Sequence, residues 1–349
     1  MAGLTIEQFL EKAGSTPVID VRSPGEYGQA HIPGALNLPL FSDDERAEVG
    51  TIYTKKSKTE SVRRGLEIVG PKLSDFIAFA LSLKSKELLI HCWRGGMRSS
   101  SMAWLFETVD IECDTLIGGY KSYRNYILDS LNVPLNIVLL GGYTGSGKTE
   151  ILHLLKECGE QIVDLEGLAN HKGSAFGAIG QNPQPSTEHF ENLIGSHLTN
   201  FDKRKRIWLE DESRNIGKNL IPTPLWEQMR QAPLIRLDTS FDMRLSRLMR
   251  DYGNLSPEAL IASIQKIEKR IGFDKCKMAI EACSSGDIVG AAAICLQYYD
   301  KAYEKQLSDR VSPKNRITID EATPQEMAEE LIKIADKMVA ANEINKARM

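Results

Sequence analysis

Short apolar runs alternate with segments of helical spacing along the whole chain. In the first part of the chain the runs lie at residues 18–21, 35–38, 88–91 and 114–117. Later runs lie at residues 136–141, 161–165, 206–210, 233–237 and 316–319. Runs of this length predict buried strands, and the segments between them predict helices. Because strands that alternate with helices form parallel sheets covered on both faces, the expected fold class is α/β.

A proline at position 134 divides this pattern into two domains. The helical segment 122–131 stops just before it, since proline disfavours a helix and favours an extended restart. A chain of 349 residues also exceeds the length of one typical domain. We expect a parallel-sheet domain over residues 1–131 and a doubly wound domain over residues 134–349, with a helical insertion at about residues 241–305.

A cysteine stands where the apolar run 88–91 ends. The residues from Cys92 to Arg98 read Cys-Trp-Arg-Gly-Gly-Met-Arg, and helix-forming residues follow. The glycines let backbone amides turn inward, and the next helix adds its positive end beside Arg94 and Arg98. Such surroundings lower the pKa of a thiol from about 8.5. We therefore expect Cys92 to be a nucleophile and the two arginines to bind an oxyanion; an ordinary buried cysteine is the alternative.

A glycine-rich loop follows the apolar run 136–141. Residues 142–149 match G-x-x-x-x-G-K-[ST], and helical spacing resumes directly after them. The predicted anion-binding residues are Gly142, Gly145, Ser146, Gly147, Lys148 and Thr149. Amides of such a loop wrap phosphate oxygens, the lysine adds a point charge, and the threonine can hold Mg²⁺. The sequence therefore predicts a phosphate- or diphosphate-binding site in the second domain.

Charged residues elsewhere in the second domain are further candidates for this site. Glu210 and Asp211 end the run 206–210, where P-loop proteins commonly hold a carboxylate that orients a metal-bound water; solvated acids are the alternative. Arg244 and Arg247 fall close to one face of a predicted helix. That face could close over a polyphosphate or contact an RNA backbone.

Composition excludes several classes of protein. A formal net charge of −4 argues against general adhesion to nucleic acid, although basic clusters such as residues 203–206 permit a local basic face. No apolar run approaches the ~18 residues of a membrane span. Residues 1–14 predict an amphipathic helix without the layout of a signal peptide, so we expect a cytoplasmic protein. The six cysteines lack C-x-x-C spacing, which predicts neither a metal site nor disulfides.

Two segments of the first domain resemble a known family of domains. Residues 20–27, Asp-Val-Arg-Ser-Pro-Gly-Glu-Tyr, and residues 30–39, Ala-His-Ile-Pro-Gly-Ala-Leu-Asn-Leu-Pro, are similar to the leading motifs of rhodanese-type sulfurtransferases. Those domains carry a persulfide on a loop cysteine. Here five residues separate Cys92 from Arg98, where many rhodaneses have four. His-Cys-x5-Arg-Ser is also the signature of cysteine phosphatases, and the larger loop suits phosphate or a phosphate-bearing chalcogen donor.

Over its whole length the chain resembles bacterial tRNA 2-selenouridine synthases. Besides the two loops, residues 164–177, 210–217 and 298–300 are similar to segments of that family. One departure is Lys172, where arginine is expected; lysine keeps the charge but loses bidentate phosphate recognition.

The resemblance implies an enzyme that replaces the sulfur of 2-thiouridine at the wobble position of tRNA with selenium from selenophosphate. The implied route passes through S-geranyl-2-thiouridine made from geranyl diphosphate, which the P-loop would hold. Cys92 would attack selenium to give a selanyl-sulfide. Expected partners are tRNA, selenophosphate and geranyl diphosphate, with Mg²⁺ permitted, no membrane, and a monomer as the default state.

Three other functions agree with the residues themselves. A P-loop kinase or NTPase with a regulatory rhodanese module would use Lys148 and Thr149 for ATP. A cysteine phosphatase would use Cys92 on a phosphate ester. A non-enzymatic RNA-binding adaptor would need neither loop for chemistry.

Overall fold

The computed structural model of the chain describes residues 2–253, 255–308, 315–318 and 323–346. It divides into two compact units, and each has its own parallel sheet. The first unit comprises Met1–Leu131 and Pro185–Thr199, and the second comprises Asn132–Gln184 and Asn200–Met349. The predicted α/β class is confirmed. Among the described residues, no helix combines the length and the apolar character that crossing a bilayer requires.

The first unit is built on a sheet whose described strands are all parallel. They are β1 (Ala2–Leu4), β2 (Val18–Asp20), β3 (Leu36–Asn37), β4 (Glu87–His91) and β5 (Glu112–Leu116), in the order β1-β5-β4-β2-β3. The central strand β4 is buried on both faces: Leu88 and Ile90 pack into the core on one side and Leu89 into the core on the other. A central parallel strand needs this continuous apolar run.

Helices cover both faces of the first sheet. They are α1 (Ile6–Ala13), α2 (Pro24–Gln29), α3 (Asp43–Lys55), α4 (Lys58–Val69), α5 (Leu73–Ser82), α6 (Met97–Glu107) and α7 (Gly119–Ser130). The helix predicted over residues 1–14 is wrong for residues 2–4, which form the edge strand β1 beside β5. Thr5 caps α1 by accepting a hydrogen bond from Gln8, so the helix begins after it and the preceding residues are free to join the sheet.

The second unit contains a second parallel sheet and a small hairpin. Its strands are β6 (Asn136–Gly142), β7 (Gln161–Val163), β8 (Arg206–Glu210), β9 (Asn215–Ile216), β10 (Asn219–Leu220), β11 (Leu234–Asp238) and β12 (Asn315–Thr318). The sheet order is β12-β11-β6-β8-β7, and β9 and β10 form the antiparallel hairpin. The chain crosses from one side of β6 to the other after β8. The carboxyl end of β6 is therefore the topological switch point, where open α/β sheets form a crevice.

Ten helices follow β6 in the described part of the chain. They are α8 (Lys148–Glu157), α9 (Leu165–Ala169), α10 (Thr187–Asn200), α11 (Thr223–Gln231), α12 (Phe241–Tyr252), α13 (Pro257–Lys266), α14 (Glu268–Ile271), α15 (Phe273–Ser284), α16 (Ile288–Ser308) and α17 (Pro324–Lys346), counted over the described residues. Helices α12 to α16 occupy the region predicted as a helical insertion, and α13, α15 and α16 share a separate apolar core. The strand predicted at residues 316–319 is β12; residue 319 lies outside the described residues.

Helix α10 packs in the first unit, although the sequence pattern placed it within the second domain. Tyr120 of α7 donates a hydrogen bond to Glu188 at 2.6 Å, and Arg124 donates to the Asn192 side chain at 3.0 Å. Asn192 in turn donates to the backbone oxygen of His31 at 3.1 Å. These partners lie more than sixty residues away in sequence, so the helical period of α10 shows which face is apolar but not where it docks.

Candidate active sites

The Cys92 loop joins β4 to α6 and places a buried thiol beside the start of the helix. The Cys92 side chain is 3% exposed. Its Sγ accepts a hydrogen bond from the Gly96 amide at 3.3 Å and lies 3.3 Å from the Ser99 Oγ. Burial raises the pKa of the thiol, but the hydrogen bonds from Ser99 and Gly96, together with the charge of Arg98, bring the pKa of Cys92 below its usual value. The loop therefore favours the thiolate.

The two arginines of the loop are placed differently. Arg98 Nη1 donates to the Glu26 carboxylate at 2.9 Å, and Arg46 approaches the same oxygen at 3.3 Å. Glu26 is ordered in turn because it accepts the Ser23 amide at the start of α2. Arg94 is exposed at the rim of the loop. Arg98 is thus held in a fixed orientation, whereas Arg94 is free to meet an incoming ligand.

A buried ion pair is connected to the Cys92 loop through Tyr120, and the sequence analysis did not assign this pair a role. Arg22 and Asp20 are fully buried and pair at 2.6 Å. The Arg22 guanidinium also donates to the Ala30 carbonyl at 2.7 Å and lies 3.8 Å from the centre of the Tyr120 ring. The Tyr120 amide donates to the Cys92 carbonyl at 2.8 Å. Asp20 and Arg22 belong to the segment 20–27 that carries the rhodanese resemblance, which was the only signal for them.

Two glycines allow α7 to approach the loop closely. Gly95 and Gly119 have φ angles of 65° and 61°. A Cβ at Gly119 would overlap the carbonyl oxygen of Cys92 and lie 2.5 Å from the Gly95 nitrogen. Both the backbone angle and the space therefore require glycine at position 119.

Gly119→Ala is expected to destabilise the first unit and distort the Cys92 loop. An alanine at this positive φ angle, with its Cβ overlapping the Cys92 carbonyl oxygen, should lower the free energy of unfolding by about 2–4 kcal/mol. Gly50→Ala, in α3, is the matched control because a Cβ there meets nothing within 4 Å. Alanine in an exposed helix should be neutral or stabilising by about 0.5–1 kcal/mol. Urea denaturation and the alkylation rate of Cys92 measure both effects; equal behaviour of the two variants would contradict this account.

The second candidate site begins at the loop between β6 and α8. Gly142, Gly145 and Gly147 have φ angles of 149°, 79° and 87°, as a loop that turns its amides inward requires. Lys148 Nζ donates to the Gly142 carbonyl at 3.1 Å. Thr149 Oγ1 donates to the buried Glu210 carboxyl group at 2.7 Å. We call this loop the cradle: its glycines allow inward-turned amides, and its lysine is folded against it.

A cavity of about 630 Å³ opens from this cradle. The predicted binding residues that line it are Gly142, Gly145, Ser146, Gly147, Lys148, Thr149, Asp211 and Arg247. Arg247 Nη1 donates to the Ser146 carbonyl at 3.0 Å and packs against Gly147. Lys172, where the resemblance suggested arginine, also lines the cavity and pairs with Asp251 at 3.3 Å.

Two predicted binding residues lie behind the lining of this cavity. Glu210 is fully buried beneath Thr149. Arg244 is 3% exposed and forms a bidentate pair with Asp300 at 2.7 and 2.8 Å. It also donates to the Thr144 carbonyl at 3.3 Å. Arg244 therefore braces the P-loop against α16, while Arg247, one helical turn later, faces the cavity.

Carboxyl groups also line the cavity, and two of them were not among the predicted site residues. Glu166 and Glu212 line it, and a Cβ at Gly173 would lie 2.5 Å from one and 2.7 Å from the other. Burial and the neighbouring acid raise the pKa of Glu166. Burial, with Asp164 nearby, raises the pKa of Glu210 to about 8. Among the described residues, no group of three or more His, Cys, Asp or Glu side chains could hold a metal ion.

Another part of the cavity lining, called here the apolar wall, consists of apolar and aromatic residues. Residues of the helical insertion supply most of it: Leu248, Leu260, Ile264, Ile288, Ala291, Ala292, Leu296, Tyr298 and Tyr299. Phe176 and Tyr252 add aromatic surface. The site therefore combines an anion cradle with an apolar wall. Sequence reasoning missed this wall because its residues have the ordinary spacing of helix cores.

Comparison with known proteins identifies the family. The family model for the tRNA 2-selenouridine synthase AAA domain matches residues 135–333, and the model for the rhodanese-like domain matches residues 5–126. The chain belongs to the tRNA 2-selenouridine synthase family. Cys92 lies in the rhodanese-like match and the P-loop in the match to the synthase family's AAA domain, so the resemblance inferred from the sequence is confirmed.

Similar proteins of known name cover most of the chain. A tRNA 2-selenouridine synthase of Pseudomonas fluorescens (strain Pf0-1) is 37% identical over 286 residues, which cover 74% of this chain and 76% of that protein. One from Shewanella frigidimarina (strain NCIMB 400) is 36% identical over 270 residues, or 75% and 71% of the two chains. The crystal structure of the N-terminal domain of a putative ATP/GTP binding protein from Clostridium difficile 630 is 41% identical, with a TM-score of 0.34, over 36% of this chain and 99% of that one.

Proposed function

We propose that this chain replaces the sulfur of wobble 2-thiouridine in tRNA with selenium from selenophosphate, through S-geranyl-2-thiouridine made from geranyl diphosphate. The printed names of its relatives support the selenation of tRNA. The observation that carries the geranyl step is the cavity that runs from the P-loop to an apolar wall. An amphiphilic diphosphate is the class of ligand that such a cavity suits.

The P-loop end of the cavity would bind the diphosphate. Its amides and Lys148 would then lie beside the leaving oxygens, on which negative charge grows as the carbon–oxygen bond breaks, and Arg247 lines the same end of the cavity. Preorganised donors of this kind stabilise such a transition state. Thr149, which lines the cavity, is the protein group that would hold a Mg²⁺ ion accompanying the diphosphate, and Glu210 accepts the hydrogen bond of its hydroxyl from behind; Mg²⁺ takes few protein ligands beside phosphate oxygens.

The apolar wall would bind the ten-carbon chain. Burial of a prenyl chain contributes roughly 0.8 kcal/mol per methylene-sized group, so a wall of leucine, isoleucine and alanine gains affinity with chain length. A nucleotide would place a polar sugar and base against this wall. The wall therefore favours a prenyl diphosphate over ATP as the ligand of this P-loop.

The Cys92 loop would bind selenophosphate. Its five-residue span, the Gly96 amide and the α6 N-terminus suit a tetrahedral oxyanion, and Arg98 and Arg94 supply cationic donors. The Cys92 thiolate would then contact the bound selenophosphate and could act on it as a nucleophile.

The geranyl-binding role is tested by filling the apolar wall. Ala292→Trp should weaken binding of geranyl diphosphate at least about tenfold, because the larger side chain occupies the space of the prenyl chain. Binding of inorganic diphosphate should be unchanged. Val289→Trp is the matched control, since Val289 lies on the same helix and is 49% exposed. Calorimetric titration with both ligands decides: equal affinity of Ala292→Trp and the wild type for geranyl diphosphate would remove the prenyl chain from this wall.

The whole reaction is tested on tRNA. Purified chain, 2-thiouridine-containing tRNA, selenophosphate and geranyl diphosphate should together yield 2-selenouridine in a nucleoside digest analysed by mass spectrometry. Leaving out geranyl diphosphate should abolish the product. Product formation that depends on ATP instead would point to the kinase or NTPase function.

A further inference from the structure

We propose that Cys92 attacks the phosphorus of selenophosphate and not its selenium. This inference deepens the proposed function and rests on it. In the first step an Sγ–P bond forms and the P–Se bond breaks, so selenium leaves with the electron pair as hydrogen selenide. In the second step water attacks the phosphorus of S-phosphocysteine, which releases orthophosphate and regenerates the thiolate.

Electron balance separates this step from attack on selenium. An S–Se bond formed from thiolate and selenophosphate would oxidise sulfur and selenium together and expel phosphorus with the electron pair, as phosphite. Delivery of that selenium to the nucleoside would then require a reductant to cleave the S–Se bond. The proposed reaction supplies no reductant. Attack on phosphorus leaves selenium at the selenide level throughout and needs none.

The geometry of the loop supports phosphorus as the target. Five residues separate Cys92 from Arg98, and the helix α6 begins inside this span with Gly96 as its N-cap. The Gly96 amide already donates to Sγ at 3.3 Å, and Arg98 is fixed by Glu26 at 2.9 Å. The Gly96 amide, the N-terminus of α6 and the Arg98 guanidinium would stabilise oxygens attached to the attacked atom, and selenophosphate carries its oxygens on phosphorus. The thiol is 3% exposed, so it is largely shielded from solvent.

Ser99 is placed to assist the second step. Its side chain is fully buried, and its Oγ lies 3.3 Å from the Cys92 Sγ and 3.0 Å from the Gly96 carbonyl. When water attacks S-phosphocysteine, the cysteine sulfur must leave as a thiolate. In the resting state the Ser99 hydroxyl donates to the Gly96 carbonyl, and its contact with the sulfur helps to lower the pKa of Cys92. The same hydroxyl, turned from the carbonyl to the sulfur, would stabilise the departing thiolate by a hydrogen bond. Loss of Ser99 should therefore slow breakdown of S-phosphocysteine more than its formation.

The selenide produced completes the exchange without a redox step. Hydrogen selenide attacks C2 of S-geranyl-2-thiouridine, a C–Se bond forms, and the C–S bond breaks with departure of geranylthiolate. Transfer of the selenol proton to the ring nitrogen gives 2-selenouridine. The Cys92 loop then acts as a source of selenide, and orthophosphate is its phosphorus product.

The experiment follows phosphorus and selenium separately. The full chain is mixed with phosphorus-radiolabelled selenophosphate under anaerobic conditions, quenched rapidly and digested, and the phosphorus products are identified by NMR. We expect orthophosphate in solution and transient label on the peptide that contains Cys92. In Ser99→Ala the label should accumulate, because hydrolysis slows about tenfold or more. Cys92→Ser should carry no label, and Ser99→Thr, which keeps the hydroxyl, should release phosphate nearly as fast as the wild type.

Each alternative result has a definite meaning. Phosphite in solution, with selenium bound to the Cys92 peptide, would overturn the inference, as would consumption of selenophosphate by Ser99→Ala without label on Cys92. Circular dichroism of Ser99→Ala verifies that it is folded, and the wild-type quench is an independent measurement. Label on Cys92 without any selenouridine in a parallel tRNA reaction would refute the proposed function but not this step. Selenouridine formed without any phosphorus label on Cys92 would refute this step but not the proposed function.

Discussion

Cys92→Ser should abolish selenium incorporation into tRNA, by roughly a thousandfold or more, the scale on which loss of an enzymic nucleophile usually falls. The serine hydroxyl fits the loop, but it is a far poorer nucleophile than a thiolate whose pKa the loop has lowered. Nucleoside mass spectrometry measures 2-selenouridine, and a gel shift measures tRNA binding, which should stay nearly intact. Selenouridine formed at an undiminished rate would remove Cys92 from the chemistry.

Cys113→Ser is the matched control for this variant. Cys113 lies in the same unit and, like Cys92, is 3% exposed. Its surroundings differ: burial raises the pKa of this thiol to about 12, and its Sγ lies 3.5 Å from the Ile111 carbonyl with no oxyanion loop beside it. Serine at position 113 should cost some stability and leave selenation unchanged. If Cys113→Ser proves as damaging to selenation as Cys92→Ser, the loss reflects folding and not chemistry.

Lys148→Ala should block geranylation by about a hundredfold or more while sparing the selenium step. The lysine is the main point charge of the cradle, and its removal leaves the charge that develops on departing diphosphate unbalanced. Liquid chromatography of tRNA nucleosides, with geranyl diphosphate as the co-substrate, measures S-geranyl-2-thiouridine. Lys156→Ala, an exposed position on the same helix, should geranylate normally.

The two loops should then be separable in complementary assays. Lys148→Ala should convert pre-geranylated tRNA to selenouridine tRNA, because that substrate has already passed the diphosphate step. Cys92→Ser should still make S-geranyl-2-thiouridine and stop there. Equal failure of Lys148→Ala on pre-geranylated tRNA would show that the P-loop domain acts in the selenium step or in positioning the RNA.

Local sequence patterns located the central strands and the two loops well. Residues 88–91 predict a central strand because consecutive apolar residues need cover on both faces, and β4 has that cover. The sequence also predicts the position of the P-loop, since Gly142, Gly145 and Gly147 occupy positions whose backbone angles favour glycine. Residues 2–4 were predicted as part of a helix, because the apolar pattern of a three-residue edge strand is too short to distinguish it from the start of a helix.

The roles of the arginines show where local pattern stops being informative. Arg244 and Arg247 lie one helical turn apart on α12, and their spacing predicts that both bind phosphate. Asp300, fifty-six residues further along, decides between them because it pairs with Arg244 and turns that side chain away from the cavity. A helical period predicts which residues share a face, but not which partner another element presents to each of them.

The sequence by itself determined the α/β class and the positions of the thiol loop after β4 and of the glycine-rich cradle after β6, because each depends on contiguous residues whose backbone angles and charges act on one another directly. Only the tertiary structure decided that α10 packs beside α7, that Asp20 and Arg22 lie under the Cys92 loop, and that the cradle continues into an apolar wall. Those features arise from contacts between residues far apart in the chain. The apolar faces of different helices have the same residue spacing, so the sequence does not show which two faces pack together; the packing of the whole unit decides this.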